Sequence, residues 1–203
     1  MANTNSFIGT ELKTFPGGYY GSNMNYYHIN DNDDALLLVF QCEQACDLTG
    51  AMVGCNSQYG TSPFFKMELF AVDASNYHKG PTGSALATTA GFQVTTGSNQ
   101  SHNFTSALTC TQGQVLCLKL SHASGTIDGS NYAIFKYSVS TTRYNLLPFS
   151  AYSHDSSVSS PTWTADNKAY PTMAVHTDLA AGVDFGGVFN HNTGNKETLN
   201  TGG

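Results

Sequence analysis

The chain carries little charge. Only 11% of its 203 residues are Asp, Glu, Lys or Arg, against roughly 25% in an ordinary soluble domain. Arg143 is the only arginine, and Lys13, Lys66, Lys79, Lys119, Lys136, Lys168 and Lys196 are scattered without a cluster. Binding a phosphate backbone requires a basic patch and usually guanidinium forks. Nucleic acid is therefore not an expected partner, and the formal net charge of -6 points the same way.

Long apolar runs are also missing. None approaches the roughly 20 residues a membrane-spanning helix needs, and the opening MANTNSFIGT has neither the basic nor the apolar region of a secretory leader. The expectation is a chain made in the cytosol, with no membrane partner. No segment has the length and 3.6-residue period of a helix, and no repeat recurs at a fixed spacing. Gly, Ser, Thr and Asn supply the surface instead. Such neutral polar surfaces suit short strands and close packing against copies or partners, where desolvating a charge would be costly.

Alternating and fully apolar stretches predict strands. Ala35 to Phe40 is apolar on both faces and follows the polar Asn30-Asp31-Asn32-Asp33-Asp34, the signature of a fully buried strand. The turn-prone Asp47-Leu48-Thr49-Gly50 leaves no room there for a long helix. From Phe64 to Val72, Phe65, Met67, Leu69 and Ala71 alternate with Lys66 and Glu68, as in a half-buried strand. Further strands are predicted around Gly91 to Thr95, Ser101 to Leu108, Gln114 to His122, Tyr132 to Ser140 and Met173 to Thr177. Leu116, Leu118 and Leu120 share one face of their strand, with Cys117 and Lys119 on the other.

Turn clusters at Lys79 to Gly83, Thr111 to Gly113 and Asp128 to Asn131 separate these runs. Strands so punctuated indicate an all-β fold, an antiparallel β-sandwich or jelly roll. Residues 1-34, rich in Asn, Gly and Tyr, read as an extended N-terminal arm or looped first strand whose aromatics lie on the domain's own flank or on a neighbouring subunit, and 35-145 as the sandwich core. Residues 146-203 read as closing strands and a polar C-terminal tail of the same domain.

Candidate sites are few. Cys42, Cys46, Cys55, Cys110 and Cys117 are odd in number and read as free, mostly buried thiols. They lack the four-ligand spacing of a structural zinc site. The seven histidines form no H-x-H or H-E-x-x-H set, so neither a metal centre nor a cofactor is expected. Asp31, Asp33 and Asp34 are weak calcium candidates without the glycine and distal glutamate of an EF-hand. No G-x-S-x-G or evident carboxylate pair marks a hydrolase, so no catalytic residue is assigned and no enzyme is expected. Exposed aromatics are the strongest recognition signal: Tyr19, Tyr20, Tyr26, Tyr27, Tyr59, Tyr77 and Trp163 lie in Gly-, Asn- and Ser-rich segments. There they can fill an interface, stack on sugar rings or cap the sandwich.

Several short motifs carry a family resemblance. They are Gly18-Tyr19-Tyr20-Gly21 through Tyr26-Tyr27-His28, Leu69-Phe70-Ala71-Val72-Asp73-Ala74, Thr111-Gln112-Gly113-Gln114-Val115-Leu116-Cys117-Leu118 and Gly186-Gly187-Val188-Phe189-Asn190-His191. In these the chain resembles the β-sandwich structural modules of tailed-bacteriophage virions. The resemblance implies a virion protein assembled in the host cytoplasm, decorating the capsid or forming part of a tail or fibre. Its partners would be other virion proteins and copies of itself. The alternatives are a carbohydrate- or receptor-binding module acting on host surface glycans, and an unrecognised hydrolase.

Overall fold

A computed structural model describes residues 7-9, 24-42, 45-73, 80-139, 149-154, 164-165, 169-178, 188-190 and 195-197. Among them there is no helix, and the strands form two antiparallel sheets packed as a β-sandwich, with a small hairpin besides.

The first sheet has seven strands: β1 (Phe7–Gly9), β2 (Met24–Ile29), β4 (Cys46–Tyr59), β7 (Asn99–Cys110), β9 (Tyr132–Val139), β12 (Ala169–Pro171) and β13 (Met173–Thr177). The second has six, ordered β11 (Thr164–Ala165), β10 (Phe149–His154), β3 (Ala35–Gln41), β8 (Val115–Ser124), β5 (Phe64–Val72) and β6 (Pro81–Thr88). The hairpin pairs β14 (Val188–Asn190) with β15 (Asn195–Glu197), within the stretch expected as a polar tail.

Register fixes the core. On the second sheet Leu36, Leu38 and Phe40 of β3 stand opposite Leu120, Leu118 and Leu116 of β8. Met67 and Leu69 of β5 face Leu120 and Leu118 from the other side. The first sheet answers with Ile29, Leu48, Ala51, Val53, Cys55, Phe135 and Val175, all essentially inaccessible. Phe65 meets Phe135 edge-on between the sheets at 5.2 Å, a geometry that aromatic quadrupoles favour. β3 is buried on both faces, as its unbroken apolar run predicts.

Strand β4 is shared. Its first part pairs with β7 and β13, its last part with β9. At the changeover Gly54 N–H donates to Thr172 O at 2.7 Å, and Thr172 N–H donates to Lys136 O at 2.9 Å. A Cβ on Gly54 would lie 2.8 Å from the Thr172 side chain, so only glycine lets that buried threonine close the junction. The middle of β7 leaves β4 and bends toward the second sheet. Phe104 bridges to Thr89, and Thr105 Oγ1 donates to Thr88 O at 3.1 Å, which ties β7 to the edge beside β6.

Three expectations are corrected. Asp47 to Gly50 lies inside β4, because Leu48 enters the core, Asp47 N–H donates to the Asp178 carboxylate at 2.8 Å, and strands flank both sides. Such tertiary pairing overrides local turn preference. Gly91 to Thr95 forms only the isolated bridge between Phe65 and Phe92. Side-chain amides replace its ladder: Gln58 Oε1 accepts from Val94 N–H at 2.7 Å, and Gln100 Oε1 from Thr95 N–H at 2.8 Å. Pro81 to Gly83 opens β6, with the proline at the first position of an edge strand, where its missing N–H costs nothing. Within residues 1-34, the two described strands lie on the domain, β1 on β13 and β2 along β9.

Candidate ligand-binding site

Alternation along β2, β9 and the end of β4 sorts their side chains. Ile29, Ala133, Phe135 and Cys55 point into the core, and Tyr27 packs against it. Their neighbours Tyr26 and His28 on β2, Tyr132, Ile134 and Lys136 on β9, and Ser57 and Tyr59 on β4 share the outer face by register.

Three of these rings form a ladder. Tyr59 stacks on Tyr132 at 4.6 Å and 13°, and Tyr132 stacks on His28 at 5.5 Å and 16°. Tyr59 directly opposes Tyr132 across the strands, and His28 lies diagonally beyond it. Ile134, opposite both His28 and Ser57, is buried at the floor. Tyr132 occupies one face of Tyr59 and so fixes the ring's orientation. Even so, Tyr59 keeps 48% of its surface exposed, and Tyr26 on the same sheet face keeps 49%.

A polar turn borders the ladder. Asp128 Oδ1 accepts from Ser130 N–H at 2.7 Å, Asn131 N–H at 2.9 Å and Asn131 Nδ2 at 3.1 Å. These donors, the Ser130 amide foremost, hold the exposed carboxyl below its usual range. Asn131 in turn leans over Gly60, where a Cβ would collide with its carboxamide, and Gly60 has φ of 70°. Glycine is needed there on both counts. The result is a tyrosine ring stacked on its neighbour, with the Asp128 carboxylate and the Asn131 carboxamide in the turn that packs against Gly60. That set can stack on an apolar ring face and accept hydrogen bonds from hydroxyls.

Farther along the outer face, His176 of β13 and Asn103 of β7 flank Gly50 of β4. With no side chain on Gly50, the imidazole reaches across, and its Nε2 lies 3.1 Å from Ser101 Oγ. Its Nδ1 is buried without a hydrogen-bond partner, and burial lowers its pKa.

Of the residues singled out in the sequence, Tyr26 and Tyr59 come to this one face. Tyr27 turns inward instead, since it alternates with Tyr26 and His28. Tyr19, Tyr20, Tyr77 and Trp163 lie outside the described residues. Asp31 and Asp34 serve the turn between β2 and β3: Asp34 Oδ2 accepts from Asn30 N–H at 2.9 Å and Asp31 N–H at 3.0 Å, and Asp31 Oδ1 from Asp33 N–H at 3.2 Å. Among the described residues no three His, Cys, Asp or Glu side chains are grouped to hold a metal. His28, Asp128, Asn131 and Tyr132 escape the sequence reading. The available signal was the alternation of Tyr132, Ile134 and Lys136 with inward Ala133 and Phe135.

No family profile and no curated protein matches the chain. A solved structure of the clostridial cysteine protease Cwp84 after propeptide cleavage aligns with a TM-score of 0.50 at 12% identity, covering 79% of this chain and 41% of that one. A second structure, of the cysteine protease and lectin-like domains of Cwp84, a surface layer associated protein of Clostridium difficile, aligns at 0.47 and 12% identity, covering 79% and 37%. The chain thus spans less than half the length of either, and the first likeness is one of fold.

Proposed function

We propose that this chain is a non-catalytic recognition module that binds carbohydrate through the Tyr59 platform. One observation carries the reading: Tyr59 is held by Tyr132, half exposed, and bordered by the Asp128–Asn131 turn. A pyranose presents an apolar C–H face and a rim of hydroxyls. The free side of the tyrosine ring takes the first, and the carboxylate and carboxamide take the second. Stacking on Tyr132 orders the ring before binding, so less side-chain entropy is lost when a ligand docks.

The test is a glycan array followed by titration of the best ligand. Tyr59→Ala should weaken binding at least about tenfold, or about 1.4 kcal/mol, while Leu86→Ala, an exposed residue on β6, should leave it unchanged. A chain that binds no glycan, or that binds equally well after Tyr59→Ala, overturns the reading.

The second reading is a structural component of a phage particle, docking on other virion proteins or on copies of itself. Its support is the low charge of the chain together with exposed Tyr26, Phe64 and Leu86, since neutral, aromatic-bearing surfaces suit protein interfaces. Absence of the chain from purified virions would remove it.

A further inference from the structure

Cys46 opens β4 and Cys110 closes β7, and the two stand directly opposite each other in antiparallel register. Their sulfurs are 3.4 Å apart. A third buried thiol, Cys42, lies near them: burial, and then the neighbouring Cys110, hold its pKa above the ordinary thiol range. Its backbone is pinned to the turn between β7 and β8: Cys42 N–H donates to Gln114 O at 2.9 Å, and Gly113 N–H donates to Cys42 O at 2.7 Å. All three are buried, in a stretch of chain where Cys110 is 64 residues from Cys46.

We propose that Cys46 and Cys110 are a modification site that closes into a cross-strand disulfide under thiol-oxidising conditions, with Cys42 beside them as a retained thiol. Directly opposed strand residues have Cα atoms roughly 4.5–5.5 Å apart, within the range of roughly 4.4–6.8 Å that a disulfide accepts. Side-chain rotation alone can therefore bring the sulfurs into bonding distance.

The oxidant is a small-molecule disulfide. The Cys46 thiolate attacks it and expels one thiolate. The Cys110 thiolate then attacks the mixed disulfide and expels the second. One S–S bond is broken and one is formed, and the two protons lost by the cysteines end on the two released thiols. Cys46 is the first attacker because it keeps 7% exposure, while Cys110 keeps 1% and Cys42 none. In the closed fold, burial and the neighbouring sulfur push the Cys46 thiol up to about 12, which slows attack. The bond therefore forms while the chain folds, or when the start of β4 frays. Cys55, which donates to Gln100 Oε1 at 3.0 Å, and Cys117, on the outer face of the six-stranded sheet, stand apart and stay thiols.

The full chain, denatured and reduced, is refolded in glutathione buffers of graded redox ratio, then alkylated under denaturing conditions and mapped by mass spectrometry. Refolding removes burial as an obstacle to oxidation. The expected result in oxidising buffer is a Cys46–Cys110 link with Cys42, Cys55 and Cys117 alkylated, and a Tm raised by roughly 5 °C or more over the reduced protein. Cys42→Ala should keep the link. Alkylation of all five cysteines at every redox ratio overturns the proposal, as does a link from Cys42 to Cys110 in place of Cys46. The wild-type map decides the matter even if a cysteine variant fails to fold.

Discussion

The two outer faces of the sandwich differ. On the six-stranded sheet Ala35, Leu37, Val39 and Cys117 form a second buried cluster, with Phe70, Val72 and Val115 packed against it. On the seven-stranded sheet the corresponding face carries Tyr26, His28, Tyr59 and Tyr132 at one end and Gly50, Ser101, Asn103 and His176 at the other. On the six-stranded sheet the outward side chains are buried, and on the seven-stranded sheet Tyr26 and Tyr59 stay half exposed. The difference shows that outward position in a sheet does not imply exposure: β3 has two interiors, whereas β9 has one.

Substitutions can break that contrast, and the largest effect should come from the hidden face. Leu37→Ala should destabilise the fold by about 2–5 kcal/mol, as much as Leu38→Ala on the inner face, because both leave a cavity. Tyr26→Ala on the open face should be nearly neutral. Chemical denaturation measures all three, and a cost near zero for Leu37→Ala would mean that the face is open after all.

A smaller loss is expected at the junction of β4. Gly54→Ala should cost roughly 1–3 kcal/mol by overpacking against Thr172, and trimming Thr172 to Ser should recover part of it in a double-mutant cycle. Additive losses would show that the two do not touch.

A pH dependence comes next in size and draws on both sides of the first sheet. His102 stacks on Phe92 at 4.0 Å between the sheets, and His176 lies outward across Gly50. Burial holds both below the ordinary histidine range. Each therefore binds fewer protons folded than unfolded as pH falls below about 6.5. Stability should be full above that value and decline below it, toward the depressed folded-state pKa values. His102→Phe should flatten this decline in denaturation midpoints compared at about pH 5 and pH 7.5, and an unchanged slope would assign it to other groups.

A further effect belongs to the ion pair of Lys66 and Glu68, 2.8 Å apart on the outer side of β5, where a partly exposed lysine meets a buried carboxylate. Lys66→Ala should cost about 1–3 kcal/mol in chemical denaturation, because it leaves the Glu68 carboxylate buried without its partner.

What was legible in the sequence follows the same division. β3, β5, β8 and β13 announce themselves because burial on one or both faces writes an apolar pattern into a few consecutive residues. β4 does not, since Gly50 and Gly54 look like turn residues until the side chains of neighbouring strands are seen lying over them. The bridge at Phe92 is served by Gln58 and Gln100, which are distant in sequence, so no local pattern reveals it. The site was half visible. Tyr26 and Tyr59 stood out as aromatics in polar surroundings, but the stacking of Tyr59 on Tyr132 depends on register between strands more than 70 residues apart. The thiol cluster was hidden for the same reason: spacing along the chain showed Cys42 and Cys46 together, and only the pairing of β4 with β7 brings in Cys110.

Strand β4 has a mechanical consequence. Tyr59 stands at one end of its 14 residues and Cys46 at the other, and hydrogen-bonded neighbours line it along the way. A pull applied at Tyr59 along the strand would load the ladders to β7, β13 and β9 in shear, so that many bonds share the force at once and are not unzipped singly. A module that must hold its target against flow or tension gains most from a binding residue placed on such a strand.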